Sequence, residues 1–428
     1  MQPIMLLLVP ALSFSSSTDS AQKAPSSVVV PASPAVQDVA SPASSDSAFP
    51  QLASDGQGGV FMTWLETLPA GAGHRLRLSH RKEGGSWSEA VTVSEGRDFW
   101  RNWADFPGAG VFADGSVMVG WLGRSGEGTY DYNIQARISR DGGRTWGEVF
   151  LVNTDGTKSE HGFVSFAATP KGLGVLWLDG RETKGGHEGE HATTGGGAMT
   201  LRFAEFESNG TRTSEVRLDG KVCDCCQTSL VNTSKGLLAA YRDRSDTELR
   251  DISLIRPLAS KPEPRDFSKD GWKINACPVN GPALAAQGEA VAAAWFTMAG
   301  KARVRAAFSK DGGETFSSPL DIDTAFPLGR LDAGILPSGE ALVSWLGRGN
   351  AGAVEIKAAV IDSTGGLKRT FKVADTSMAR ASGFPRLEVL GDEVVFAWTE
   401  VQPAPSGASD STALLPSRVR TSVMRLKN

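Results

Sequence analysis

No block of basic residues occurs in this 428-residue chain, and its formal net charge is −4, which argues against nucleic acid as a partner. No apolar run is long enough for a bilayer-spanning helix, so no transmembrane segment is expected. No long segment repeats with the period of a helix. Tyrosine is scarce, three residues against eleven tryptophans, and cysteine is limited to four. What remains is an ordinary globular composition, 40% hydrophobic and 21% charged, with 49 glycines. It suits a large all-β core with many turns.

The N-terminal run Ile4 to Leu12 is apolar but too short to span a membrane, and small residues follow it. Residues 1–22 are therefore read as a signal peptide and the protein as exported, periplasmic or secreted, although no Lys or Arg precedes the run. Residues 23–48, rich in Ser, Ala and Pro, read as a leader, and residues 49–428 as one domain.

That domain is repetitive. A short strand that begins near Pro or Gly leads through a Gly turn to a second strand ending in an aromatic residue. The second strands end at Trp64, Trp121, Trp177, Tyr241, Trp295, Trp345 and Trp398, spaced by roughly 50–64 residues. Two more strand-like runs follow in each repeat, such as Ile134–Ile138 and Val149–Val152. Four strands per repeat, arranged radially, make a β-propeller. The count favours seven blades over six. The last repeat has three strands, and Ser27–Val30 is a candidate for the strand that closes the ring.

Between third and fourth strands lies a turn motif, Ser139-Arg140-Asp141-Gly142-Gly143-Arg144-Thr145-Trp146, repeated as Ser309-Lys310-Asp311-Gly312-Gly313-Glu314-Thr315-Phe316. Weaker copies occur at Glu83–Trp87 and Ser268–Trp272. The motif resembles the Asp-box, or BNR repeat, of the sialidase superfamily, and the resemblance extends over residues 49–426 as architecture. Its role is structural: Asp accepts backbone N–H groups inside the turn, and Gly supplies positive φ.

In such a repeat the Asp-boxes occupy one face. The segments entering first strands and leaving second strands occupy the other, here called the upper face. Cys223, Cys225 and Cys226 enter the fourth blade, Cys277 the fifth and His161 the third. Thiolates with a nearby imidazole suit a soft ion, copper or zinc. Four cysteines in an exported chain equally suit two disulfides, for which three pairings exist, or a redox-active thiol. His187 and His191, in a Gly-rich loop, are further candidate ligands, with a solvated loop as the alternative.

The resemblance to sialidases implies a second function, an exo-glycosidase acting on an acidic sugar. Three arginines would grip the carboxylate, with a Tyr nucleophile and an Asp acid. Arg101, Arg330 and Arg386 at first-strand entrances, Asp105 (or Asp332) and Tyr241 are the matching residues. The Phe-Arg-Ile-Pro motif of sialidases is replaced by Phe49-Pro50-Gln51-Leu52, which lacks the arginine. The sequence therefore favours a non-catalytic propeller binding a metal ion or small ligand on its upper face, with a protein partner as a further reading.

Overall fold

The computed structural model describes residues 35–183, 197–349, 352–402 and 416–426. Ser27–Val30, His187 and His191 lie outside the described residues, as does the segment read as a signal peptide.

Seven four-stranded antiparallel sheets follow one another along the chain. Blade 1 holds β2 (Ser47–Ser54), β3 (Gly59–Thr67), β4 (His74–Lys82) and β5 (Val91–Gly96). Blade 2 holds β6 (Gly108–Val111) to β9 (Phe150–Leu151), blade 3 β10 (His161–Thr169) to β13 (Arg212–Asp219), and blade 4 β14 (Ser229–Thr233) to β17 (Arg265–Asp266). Blade 5 runs from β18 (Ala283–Gln287) to β21 (Leu320–Asp323) and blade 6 from β22 (Gly329–Ile335) to β25 (Leu367–Thr376). Blade 7 combines β26 (Arg386–Leu390), β27 (Glu393–Val401) and β28 (Ser417–Arg425) with β1 (Val36–Val39). First strands touch the first strands of both neighbours around the whole circle, so they form the inner wall.

The ring is closed by β1, which pairs with β28 in the register Val36↔Met424 to Val39↔Thr421. The expectation of closure from the N-terminal side holds, but the strand is Val36–Val39. Pairing and side-chain packing choose it: Val36 and Val39 cover the blade cores while Gln37 and Asp38 face out.

Second strands are the buried spine of each blade. Trp64, Trp177, Trp295 and Trp345 are fully buried, and each indole N–H finds a carboxylate: Glu66 at 3.1 Å, and Asp179, Asp270 and Asp323 at 2.7 Å each. A buried Trp with its one donor satisfied supplies apolar area without an unpaired polar group.

The Asp-boxes adopt the expected turns. Asp141 accepts the N–H groups of Arg144 and Thr145 at 3.0 and 2.9 Å, and Asp311 those of Glu314 and Thr315 at the same distances. Gly143 and Gly313, at φ 90° and 87°, sit where a side chain would be strained. The weaker copy at Ser268–Trp272 works differently: Asp270 turns to the next blade, accepting Trp295 Nε1 and pairing with Arg305.

A recurrent staple joins blades at the inner wall. Phe49, Phe163 and Arg330 all lie at φ 57–59° where the first strand bulges. Their N–H groups are taken by Thr399 Oγ1, Asp105 Oδ1 and Asn280 Oδ1 of the preceding blade, at 2.9, 2.8 and 2.7 Å. The strained residue is thus held by a side chain across the blade boundary.

Candidate metal centre

The Val222–Gln227 segment lies on the upper face, between blades 3 and 4. Val222 N–H donates to Met199 O at 2.9 Å and Cys223 N–H to Arg242 O at 3.0 Å, pinning its start to both blades. The chain then turns at Asp224 and Cys225, which folds Cys226 back towards Cys223. Gln227 anchors the far end: its Nε2 donates to Ala104 O at 2.6 Å and its Oε1 accepts Gly281 N–H at 3.1 Å. Gly281 has to be glycine, because a Cβ there would lie 2.0 Å from Gln227 O.

This turn brings three sulfurs together. The Sγ atoms of Cys223, Cys225 and Cys226 all lie within 4.8 Å of one another, and Cys223 and Cys226 are 3.3 Å apart. A disulfide needs about 2.05 Å, and all four cysteines are free thiols in this structure. A metal ion at about 2.3 Å from each sulfur would set neighbouring sulfurs roughly 3.8 Å apart, close to the spacing seen. Cys277 is exposed, and its thiol contacts Cys225.

The surroundings favour negative charge at the inner end. Arg250, almost wholly buried, places Nη1 3.3 Å from Cys223 Sγ, and Arg242 is buried beside it. Burial raises the Cys223 thiol pKa, but hydrogen bonds from Cys225 and Cys226 and the two guanidinium charges outweigh it and hold Cys223 well below the usual range. Thiol hydrogen bonds to Cys223 and Cys226 push Cys225 up, and burial pushes Cys226 up. Arg250 is held in turn by Glu248 at 2.8 Å and lies 3.6 Å from Asp224, while Arg244 grips both acids. Tyr132 donates to Glu160 at 2.5 Å, and burial pushes Glu160 up to about 8, with the Asp105, Asp224 and Cys277 charges adding to the rise.

His161 belongs to another group. Its Nε2 lies 3.1 Å from Asp155 and 3.8 Å from Asp179, and its Nδ1 faces the carbonyls of Tyr132 and Ser159. Burial lowers its pKa, but these carboxylates win and raise it. Asp155, His161 and Asp179 could also hold a metal ion by spacing. A cation is already there: Arg181 clamps Asp179 with two hydrogen bonds of 2.7 Å and lies 3.4 Å from Asp155.

The arginine constellation converges, but on aromatic rings. The loop between β5 and β6 inserts Trp103 and Phe106 at the upper end of the central channel, where both rings pack on Phe384. Arg101, Arg330 and Arg386 lie over Phe49, Trp103 and Phe106 at 5.0, 4.7 and 5.5 Å. Arg330 also donates to Ala379 O, Ser382 Oγ and Gly383 O, and Arg386 pairs with Asp332 at 3.1 Å. Tyr241 is buried and donates to Asp219 at 2.5 Å. Asp105 accepts Phe163 N–H, and burial raises its pKa to about 8. It lines a cavity of 520 Å³ below the plug, walled by first strands.

In the sequence, the Arg-Asp pairs of Tyr241-Arg242-Asp243-Arg244-Ser245 and of Arg250-Asp251 read as structural ion pairs between loops. The structure gives Arg242 carbonyl partners instead, and gives both Arg242 and Arg250 a place beside Cys223. The signal was available in part, since Arg242 ends the second strand of the very blade that the cysteines enter.

Fold and centre together define a seven-bladed Asp-box propeller with a thiol cluster at one blade entrance. No family model matches the chain, and no curated protein matches it in sequence. Among solved structures it is similar to the BP39L lectin from Burkholderia pseudomallei, with 10% identity over 86% of this chain and 92% of that one, at a TM-score of 0.55. It is similar to the polysaccharide lyase Uly1, with 10% identity over 88% and 89% and a TM-score of 0.50. The Hadza microbial sialidase Hz136 aligns at 14% identity over 82% and 73%, with a TM-score of 0.46. At 10% identity the likeness to the lectin and the lyase concerns the fold alone. Among the described residues no helix is long and apolar enough to cross a membrane.

Proposed function

We propose that this protein is an exported, non-catalytic propeller that binds a thiophilic metal ion, Cu(I) or zinc, through Cys223, Cys225 and Cys226, with Cys277 beside them. The observation that carries the reading is the convergence of three thiol sulfurs within 4.8 Å on a turn pinned to two blades. Soft thiolate donors select Cu(I) and Zn over hard cations. Binding replaces thiol protons by metal, and the excess negative charge of a three-thiolate site would be offset by Arg250 and Arg242. Export is supported by the Ile4–Leu12 run.

The exo-glycosidase reading draws less support, because Arg330 and Arg386 lie on the rings of the aromatic plug, Arg101 lies over Phe49, and Tyr241 is tied to Asp219. The test is metal analysis with thiol counting on protein purified under argon, followed by competition titration with Cu(I) and with Zn. One ion bound per chain, lost in Cys223→Ser, is the expected result. Four free thiols that take up neither ion would sink the proposal.

A further inference from the structure

Resting on that metal-binding reading, we infer that Cys277 is the transfer ligand of the centre: the solvent-facing thiol through which Cu(I) passes between an external thiolate donor and the buried cysteines.

The four thiols are graded in burial. Cys277 is exposed and Cys225 is half-buried, while Cys226 and Cys223 are 2% and 0% exposed. Their contacts run in the same order: Cys277 meets Cys225, Cys225 meets Cys223 and Cys226, and those two are 3.3 Å apart. The inner end is closed by protein. Val222 and Tyr241 pack into the core of blades 3 and 4, and Arg250 covers Cys223. Of the four, Cys277 is thus the one that a bulky donor can reach.

The arrangement also separates the segments that carry the ligands. Cys223, Cys225 and Cys226 share one turn anchored at both ends, whereas Cys277 lies on Asn275–Pro278, the link from blade 4 to blade 5. A three-thiolate set is complete without Cys277, which leaves that residue free to exchange.

The step balances without a redox partner. The Cys277 thiol releases its proton to solvent, and its sulfur adds to copper held by the donor thiolate. The donor sulfur leaves and takes up a proton. Cys225 then displaces Cys277, which takes up a proton as Cys225 releases one, and Cys226 and Cys223 add to complete the three-thiolate set. Copper stays Cu(I) throughout. Two- and three-coordinate Cu(I)–thiolate complexes permit such stepwise exchange, because one sulfur can join before another departs.

The experiment uses the full, reduced chain and Cu(I) supplied as its glutathione complex. Loading is followed by stopped-flow absorbance, and affinity is measured separately by competition with bicinchoninate. Cys277→Ser is expected to slow loading by at least about tenfold while the Kd stays within about threefold, the rate-against-affinity split of a transfer ligand. Asn275→Ala, an exposed neighbour, is expected to change neither. Loading of Cys277→Ser at the wild-type rate would overturn the inference, and so would a loss of affinity as large as that of Cys226→Ser, which would make Cys277 a resident ligand. A wild-type chain that takes no copper from either competitor would instead overturn the assignment of Cu(I) to the centre, and one that also takes up no zinc would overturn the metal-binding reading itself.

Discussion

The thiols at the entrance of blade 4 and the arginines around the central plug share the upper face, and each set looked reactive in the sequence. They differ in what their polar atoms already do. Arg330 donates to Ala379, Ser382 and Gly383 and stacks on Trp103; Arg386 is paired with Asp332. Burial, with Arg380 nearby, even lowers the Arg330 pKa to about 10. The three clustered sulfurs have mainly one another and Arg250 as partners. The difference teaches that convergence on one face does not make a binding site. A cluster is available to a ligand when its lone pairs or donors are not already used to hold loops in place.

The sharpest way to break this contrast is to remove one sulfur and one guanidinium in parallel. Cys226→Ser should weaken Cu(I) or zinc binding by roughly a hundredfold or more, since a hydroxyl is a poor soft-metal ligand. Arg386→Ala should leave that affinity within about threefold. Competition titration of both variants reads the comparison directly, and equal losses would erase the distinction.

Arg242 tests the boundary between the two sets, because it neighbours the thiols yet makes four hydrogen bonds to backbone carbonyls. It donates to Asn280 O at 3.0 and 2.8 Å, Arg250 O at 2.6 Å and Phe296 O at 2.8 Å, and stacks on Trp272 at 4.7 Å. Arg242→Ala would leave three buried carbonyls without a donor. A loss of about 3 kcal/mol in urea-induced unfolding is expected. Arg330→Ala should cost less, about 2 kcal/mol, because its side chain is only part-buried and water can reach some acceptors. Arg330→Ala should leave metal affinity within a few-fold, whereas Arg242→Ala, which removes one of the two charges beside Cys223, should weaken it by more. A large affinity loss in Arg330→Ala would mean that the plug and the thiol centre are coupled.

The seven aromatic residues ending second strands were legible because burial at that position is set by a local pattern that repeats. The Asp-box turns were legible for the same reason, since Asp141 and Asp311 bond within their own turns. The closeness of Cys223 to Cys226 also followed from short sequence separation. Pairings set by the tertiary arrangement were not legible. His161 was grouped with the thiols by its place at a blade entrance, but Asp155, six residues earlier, holds its ring. Ser27–Val30 has the stronger β-branched character, yet Val36–Val39 closes the ring, because pairing with β28 depends on register. The plug formed by Trp103 and Phe106 depends on Phe384, which lies far along the chain.

The Asp-boxes of the opposite face supply a third case, in which a carboxylate is exposed and yet fully engaged. Hydrogen bonds from the Thr145 hydroxyl and N–H, and then from Ser139, hold Asp141 below the ordinary carboxylate range; Thr315 and Ser309 do the same for Asp311. A carboxylate whose pKa is depressed in the folded state contributes stability that is fully present above its unfolded value, about 4, and is lost as pH falls through the folded value. The two turns therefore add to stability at neutral pH and give it up only in strong acid. Asp311→Asn keeps an acceptor for the N–H groups but removes the charge, so its effect should be the smallest of those above. Stability at pH 7 should fall modestly, and the gap between variant and wild type should close as pH drops below about 4. Urea unfolding at pH 7 and at pH 3 measures both. A gap that widens in acid would show that the carboxylate charge does not stabilise the turn, and that an Asp-box holds its blade by shape alone.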